Sequence, residues 1–156
     1  MSEAHEAIRN LLGRYCELMD AGHFAGLAEL FAHATLADEH GNVFATGADE
    51  MRAMWERQTM LYDVDARAGH DGSPRTRHVT ANPVIDVDDS MGVAQVSSSY
   101  VVFQGTDDLP LQPIVTGRYL DTFTRDGAGT WHFTQRRYAI DHAGDLSHHL
   151  RGNLRD

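Results

Sequence analysis

The chain has 156 residues, enough for one domain with a sizeable hydrophobic core. Its net charge is −10 with neutral histidines, which argues against nucleic acid or an anionic membrane as the main partner, because both attract basic patches. The single cysteine, Cys16, excludes an intrachain disulfide. The chain starts with polar and acidic residues and has no apolar run long enough to span a bilayer. Together with the lack of an intrachain disulfide, these features lead us to expect a cytoplasmic protein.

The first half of the chain is predicted to be helical, with a short hairpin between its helices. Ser2 can cap a first helix, whose apolar residues recur at three- and four-residue spacing until the helix ends at Ala21-Gly22. A surface loop rich in Gly and charge closes this half. The predicted elements are the first helix to residue 20, a second helix over 24–31, a hairpin of 35–37 with 43–46, a third helix over 49–62 and the loop 63–76.

The second half changes to strand patterns separated by turn signals. Short connections predict an antiparallel meander, and helices followed by strands indicate an α+β domain. We expect three helices packed on one face of a strongly curved, mostly antiparallel sheet that encloses a pocket. The predicted strands are residues 78–87, 92–104, 112–125 and 130–141.

Asp20 and His78 form the candidate catalytic pair. Asp20 closes the first helix and His78 opens the first long strand. A carboxylate that orients an imidazole makes a general base able to work near neutral pH. Two plainer interpretations stay open, a polar residue at a helix end and a structural strand histidine.

Five segments carry a family resemblance: residues 15–20, 27–31, 77–82, 117–123 and 131–137. Together with the element order they resemble the SnoaL-like branch of the nuclear-transport-factor-2-like superfamily, over about residues 4–142. The resemblance implies a cone-shaped domain, which we place at residues 1–142. The remaining residues, 143–156, would form a tail that acts as a lid or an oligomer contact. The superfamily includes dehydratases, isomerases, cyclases and noncatalytic binders, so the fold leaves the activity open.

The Asp-plus-His pattern is similar to that of the branch containing scytalone dehydratase, lindane dehydrochlorinase and bacterial bile acid 7α-dehydratase. That similarity implies that His78 removes a proton and Asp20 orients it. By the same resemblance Tyr15 is a functional tyrosine and Arg136, or Arg137 with one residue of register shift, assists the leaving group. Steroid isomerases and polyketide cyclases of this fold use an acid on a strand instead, for which Asp121 is the nearest match.

Elimination of water needs a base for a C–H proton and a donor for the departing oxygen. His78 held by Asp20 fits the first role, and Tyr15 or Arg136 the second, although Tyr15 as core and Arg136 in an ion pair are alternatives. Neither role requires a cofactor or a metal, and we expect none. The histidines of the tail have ligand types that suit zinc, but their spacing matches no closed site. We expect the pocket to be lined by Met19, Trp55, Tyr100, Tyr119 and Asp121.

The expected activity is therefore a cofactor-free, dehydratase-like elimination on a small cyclic or polycyclic apolar substrate. The alternatives are an isomerase or cyclase, or a protein that binds a small ligand without turnover. A sheet of this kind leaves one face partly apolar, so we also expect a homodimer or homotrimer.

Overall fold

The computed structural model describes residues 2–152, so residues 153–156 of the predicted tail lie outside the described part of the chain. The predicted α+β architecture is confirmed: three helices pack on a six-stranded, mostly antiparallel sheet over these residues. The elements are α1 (Glu3–Asp20), α2 (Phe24–Leu30), β1 (Thr35–Asp38), β2 (Val43–Thr46), α3 (Gly47–Gln58), β3 (Thr76–Asp88), β4 (Val93–Gln104), β5 (Gln112–Arg125) and β6 (Trp131–Ala143).

Helix α1 begins and ends where its sequence predicts. The Ser2 side chain accepts a hydrogen bond from the backbone N–H of His5 and so caps the helix. At the other end Gly22 takes a left-handed backbone conformation with φ of 67°, which favours glycine. A Cβ at Gly22 would also stand 2.8 Å from the carbonyl oxygen of Gly72. The helix therefore stops at this point and leaves Asp20 in its last turn, beside β3.

The sheet has the strand order β2-β1-β6-β5-β4-β3. Strands β3 to β6 form the predicted antiparallel meander. Strand β1 pairs in parallel with β6, with Thr35 opposite Gln135, which makes the sheet mixed. Register shifts in the β3–β4, β4–β5 and β5–β6 pairings introduce bulges, which bend strands. The core lies between the helices and the concave face of the sheet, around Ile8, Leu27, Phe31, Met51 and Phe133.

The predicted end of the third helix is wrong by four residues. Helix α3 ends at Gln58, and Thr59 already has extended backbone angles. The reason is that the chain leaves the helix to pair with the tail: the N–H of Met60 donates to the carbonyl oxygen of His149 at 2.8 Å. The N–H of Arg151 donates to the carbonyl oxygen of Gln58 at 2.7 Å. The tail is thus fixed against the segment that follows α3.

None of the helices within residues 2–152 is both long and apolar enough to cross a membrane.

Candidate active site

Asp20 and His78 meet, as their positions in the sequence predict. The Nδ1 atom of His78 lies 2.6 Å from Oδ1 of Asp20. The backbone N–H of His78 also donates to both carboxylate oxygens, at 3.1 and 2.9 Å, and the Thr76 hydroxyl donates to Oδ1 at 2.9 Å. Both side chains are at least nine-tenths buried. The last turn of α1 and the first residues of β3 are therefore joined through one carboxylate.

This arrangement selects the tautomer of His78. Because a carboxylate only accepts hydrogen bonds, Nδ1 of His78 must carry the proton that it shares with Asp20. The other ring nitrogen, Nε2, then has a free lone pair, and the structure gives it no hydrogen-bond partner within residues 2–152. His78 also lines the main cavity. An oriented imidazole with a free lone pair at a cavity wall can act as a general base.

Arg136 and Asp121 form a fully buried ion pair beneath the cavity wall. The Arg136 Nε and Nη2 atoms donate to the two Asp121 oxygens at 2.7 and 2.8 Å, and neither side chain is exposed. Burial lowers the pKa of Arg136, but the Asp121 carboxylate raises it more, so the pKa is well above its usual value. The guanidinium also lies 3.8 Å from the ring centroid of Tyr119 and 4.3 Å from that of Tyr15.

This ion pair changes what we expect of both residues. Asp121 was expected to line the pocket. Its carboxylate is instead enclosed and engaged by Arg136, and neither residue is among those that line the cavity. Arg137 is also not among them; its Nε donates to Oε1 of Gln135 at 3.0 Å.

Tyr15 lies on the cavity wall between the Asp20–His78 pair (the dyad) and the buried Asp121–Arg136 ion pair. Its ring packs edge-on against His78, with ring centroids 5.9 Å apart. Burial, followed by the neighbouring Tyr119, raises the pKa of Tyr15 well above its usual value. The phenol therefore stays protonated and can donate a hydrogen bond at neutral pH.

Another part of the cavity wall depends on a single glycine. Tyr100 stacks on Tyr119 with ring centroids 4.2 Å apart. This stack is possible because Gly117 has no side chain: a Cβ there would lie 2.7 Å from the Tyr100 hydroxyl and 2.0 Å from the carbonyl oxygen of Ala139. The same glycine lies at a register shift between β5 and β6. A bulge in the sheet thus makes room for an aromatic wall.

The cavity bounded by these walls has a volume of about 1020 Å³. That volume suits a drug-sized ligand. Charged residues from the β1–β2 connection and from α3, such as Glu39 and Arg57, also line it. From the predicted site, Tyr15, Met19, Trp55, His78, Tyr100 and Tyr119 line this cavity.

His149 of the tail is a cavity residue for which the sequence predicts no role in the pocket. Its side chain is more than nine-tenths buried, and its ring lies 6.3 Å from that of His78 between centroids. Burial, with a smaller effect of His78, lowers the pKa of His149 to about 4. No local pattern reveals this placement, because the tail returns to the cavity through backbone pairing with Met60.

Within residues 2–152, no group of three or more His, Cys, Asp or Glu side chains is placed to hold a metal ion. His149 faces His78 at the cavity, whereas the Nδ1 of His148 lies 3.9 Å from an Asp145 carboxylate oxygen. The two tail histidines thus have different surroundings.

Comparison with known structures identifies the fold. An NTF2-like protein with a cystatin-like fold from Novosphingobium aromaticivorans matches with a TM-score of 0.64 and 24% identity, over 87% of this chain and 80% of that one. A "Putative Scytalone Dehydratase" from the same organism matches with a TM-score of 0.68 and 23% identity, over 91% and 87%. ActVI-ORFA from Streptomyces coelicolor matches with a TM-score of 0.68 and 15% identity, over 91% and 100%. The fold of this chain is thus NTF2-like.

Residues 1–137 match the SnoaL-like domain family, and the chain belongs to that family. No curated protein sequence matches the chain. These three structural matches are below 25% identity, so they establish the fold and leave the activity open.

Proposed function

We propose that this protein is a lyase that eliminates water from a small cyclic or polycyclic apolar substrate, with His78 as the general base. The observation that supports this proposal most directly is the 2.6 Å contact between His78 and Asp20 at the wall of an open cavity. The family match and the fold of a dehydratase-named neighbour are compatible with it.

In the proposed step His78 removes a C–H proton through Nε2. The imidazolium that forms is stabilised by the carboxylate of Asp20, whose other hydrogen bonds hold it in place. The electron pair of the broken C–H bond forms the new C=C bond, and the departing hydroxide takes a proton to leave as water. His78 itself can return the proton that it removed, which regenerates the starting imidazole.

The departing oxygen needs a hydrogen-bond donor, and the structure favours Tyr15 over Arg136. Tyr15 lines the cavity beside His78 and is protonated. Arg136 uses two of its nitrogens on Asp121, and aromatic rings stand over its guanidinium. Arg136 is therefore assigned to the support of the aromatic wall.

The first experiment replaces His78 with alanine and measures turnover on a panel of cyclic β-hydroxy ketones. A positioned base contributes on the order of 10²- to 10⁴-fold in rate, so His78→Ala should lose at least a hundredfold. Asp20→Asn should cost less, because the imidazole remains. The loss of rate should still be substantial, because the asparagine amide has only one oxygen that can accept a hydrogen bond. Its NH₂ group, which can only donate, must face either the backbone N–H or the ring N–H of His78. Undiminished turnover in His78→Ala would remove the lyase assignment.

The isomerase or cyclase alternative requires Asp121 as base, and the pairing with Arg136 counts against it. The binding alternative requires an open cavity with no proton transfer. It would be favoured if panel compounds bind to the wild-type protein and no C–H proton of the bound compound exchanges with solvent. Deuterium incorporation measured by NMR distinguishes this outcome from the lyase.

A further inference from the structure

The tail places a second imidazole in the cavity, and its surroundings favour one tautomer. Nδ1 of His149 is completely enclosed and has no hydrogen-bond partner within residues 2–152. Nε2 of the same ring is not among these enclosed, unpartnered atoms, and His149 lines the cavity. A buried N–H without an acceptor is rarer and less favourable in proteins than an under-satisfied acceptor. The proton of a neutral His149 ring therefore belongs on Nε2, the nitrogen that a ligand can reach.

Hydrogen bonds anchor the backbone on both sides of His149, and its ring is buried, so the ring has little freedom to reorient. The carbonyl oxygen of His149 accepts the N–H of Met60 at 2.8 Å. The carbonyl oxygen of His148 accepts the Tyr62 hydroxyl at 2.5 Å and the Gln104 side-chain amide at 2.9 Å. Preorganised donors bind more strongly because little conformational entropy is lost on binding.

The two imidazoles of the cavity thus offer opposite functions. The Nδ1–H of His78 donates a hydrogen bond to Asp20 and leaves a lone pair on Nε2, whereas His149 offers an N–H. The ring centroids are 6.3 Å apart, so one small molecule can contact both. The remaining walls are largely aromatic and aliphatic, including the stacked Tyr100 and Tyr119. A fused apolar ring system that carries one acceptor oxygen fits such a cavity.

We propose that His149 is a ligand-binding residue of this cavity, whose Nε2–H donates a hydrogen bond to the carbonyl oxygen of a bicyclic apolar ketone. The inference rests on the proposed function in one respect: both proposals take this cavity as the site where the ligand binds. It needs no turnover, so a failure of the lyase assignment and a failure of this inference are separate results.

The test compares two probes that differ in one oxygen atom. The dissociation constants of 1-tetralone and of tetralin, which lacks the carbonyl, are measured by ligand-observed NMR for the wild type, His149→Phe and His148→Phe. In His149→Phe, 1-tetralone should bind about tenfold more weakly, while tetralin should bind as in the wild type. The His148→Phe control carries the same change on the neighbouring tail residue and should bind both probes as the wild type does.

Three results would overturn the proposal. They are equal loss of both probes in His149→Phe, unchanged affinity for 1-tetralone, and failure of 1-tetralone to bind the wild type up to its solubility limit. A second measurement avoids the variant altogether if that variant does not fold. In the wild-type protein, 1-tetralone should shift the Nε2 resonance of His149 in ¹⁵N spectra more than tetralin does, and equal shifts would also reject the assignment.

Discussion

Acidification from pH 7 to pH 4 should destabilise this protein in part through His149. Burial is the main cause of its lowered pKa of about 4, His78 adds to the effect, and Asp20 opposes it. The unfolded chain titrates near 6.5. Between these two values the unfolded state binds a proton that the folded state does not, so stability falls as the pH falls. A difference of about 2.5 pKa units corresponds to roughly 3 kcal/mol, lost progressively from about pH 6.5 and fully below pH 4.

The assay is urea unfolding at several pH values for the wild type and His149→Phe. Other titrating groups are common to both proteins, so the difference between the two curves reports the titration of His149 together with its coupling to His78 and Asp20. The wild type should lose roughly 3 kcal/mol more than the variant between pH 7 and pH 4. His148→Phe, one residue away and partly exposed, should follow the wild-type curve. Parallel curves for the wild type and His149→Phe would refute the argument.

Asp121→Asn should lower the free energy of unfolding measured in urea by about 3–5 kcal/mol, because it leaves the buried Arg136 without its carboxylate. A stable but inactive variant would instead support Asp121 as the general base. Gly117→Ala should lower the free energy of unfolding by about 1–3 kcal/mol and disturb the stacking of Tyr100, because the new methyl group overlaps Tyr100 and the β6 backbone. Near-UV circular dichroism would detect the disturbed stacking, and unchanged spectra would contradict the prediction. Sedimentation at micromolar concentration should show a dimer or trimer that covers exposed apolar side chains such as Leu120, and a clean monomer would count against assembly.

The dyad could be predicted because each residue stands at a recognisable boundary. Helix termination at Gly22 and the change to strand periodicity place Asp20 and His78 at facing ends of two elements. The partnership of Asp121 with Arg136 could not be predicted by counting. Counting outward from the Arg125–Trp131 pair places Asp121 opposite Gln135, and the register shift between Thr122 and Phe123 brings Arg136 opposite Asp121 instead.

Other features depend on tertiary contacts that no local sequence pattern indicates. The end of α3 is decided by backbone pairing with the tail, which overrides the helical pattern continuing to Tyr62. The burial of His149 has the same origin. Its sequence neighbourhood is polar and rich in histidine, a composition typical of an exposed tail.

The parallel pairing of β1 with β6 has a consequence for folding kinetics. Thr35 and Gln135 lie side by side in the sheet although 100 residues separate them in the chain. A contact of that separation carries a large loop-closure entropy and slows the search for the native topology. During synthesis one edge of the β1–β2 hairpin therefore stays unpaired until β6 has left the ribosome. A nascent chain that stops before β6 would expose this edge as a site for aggregation.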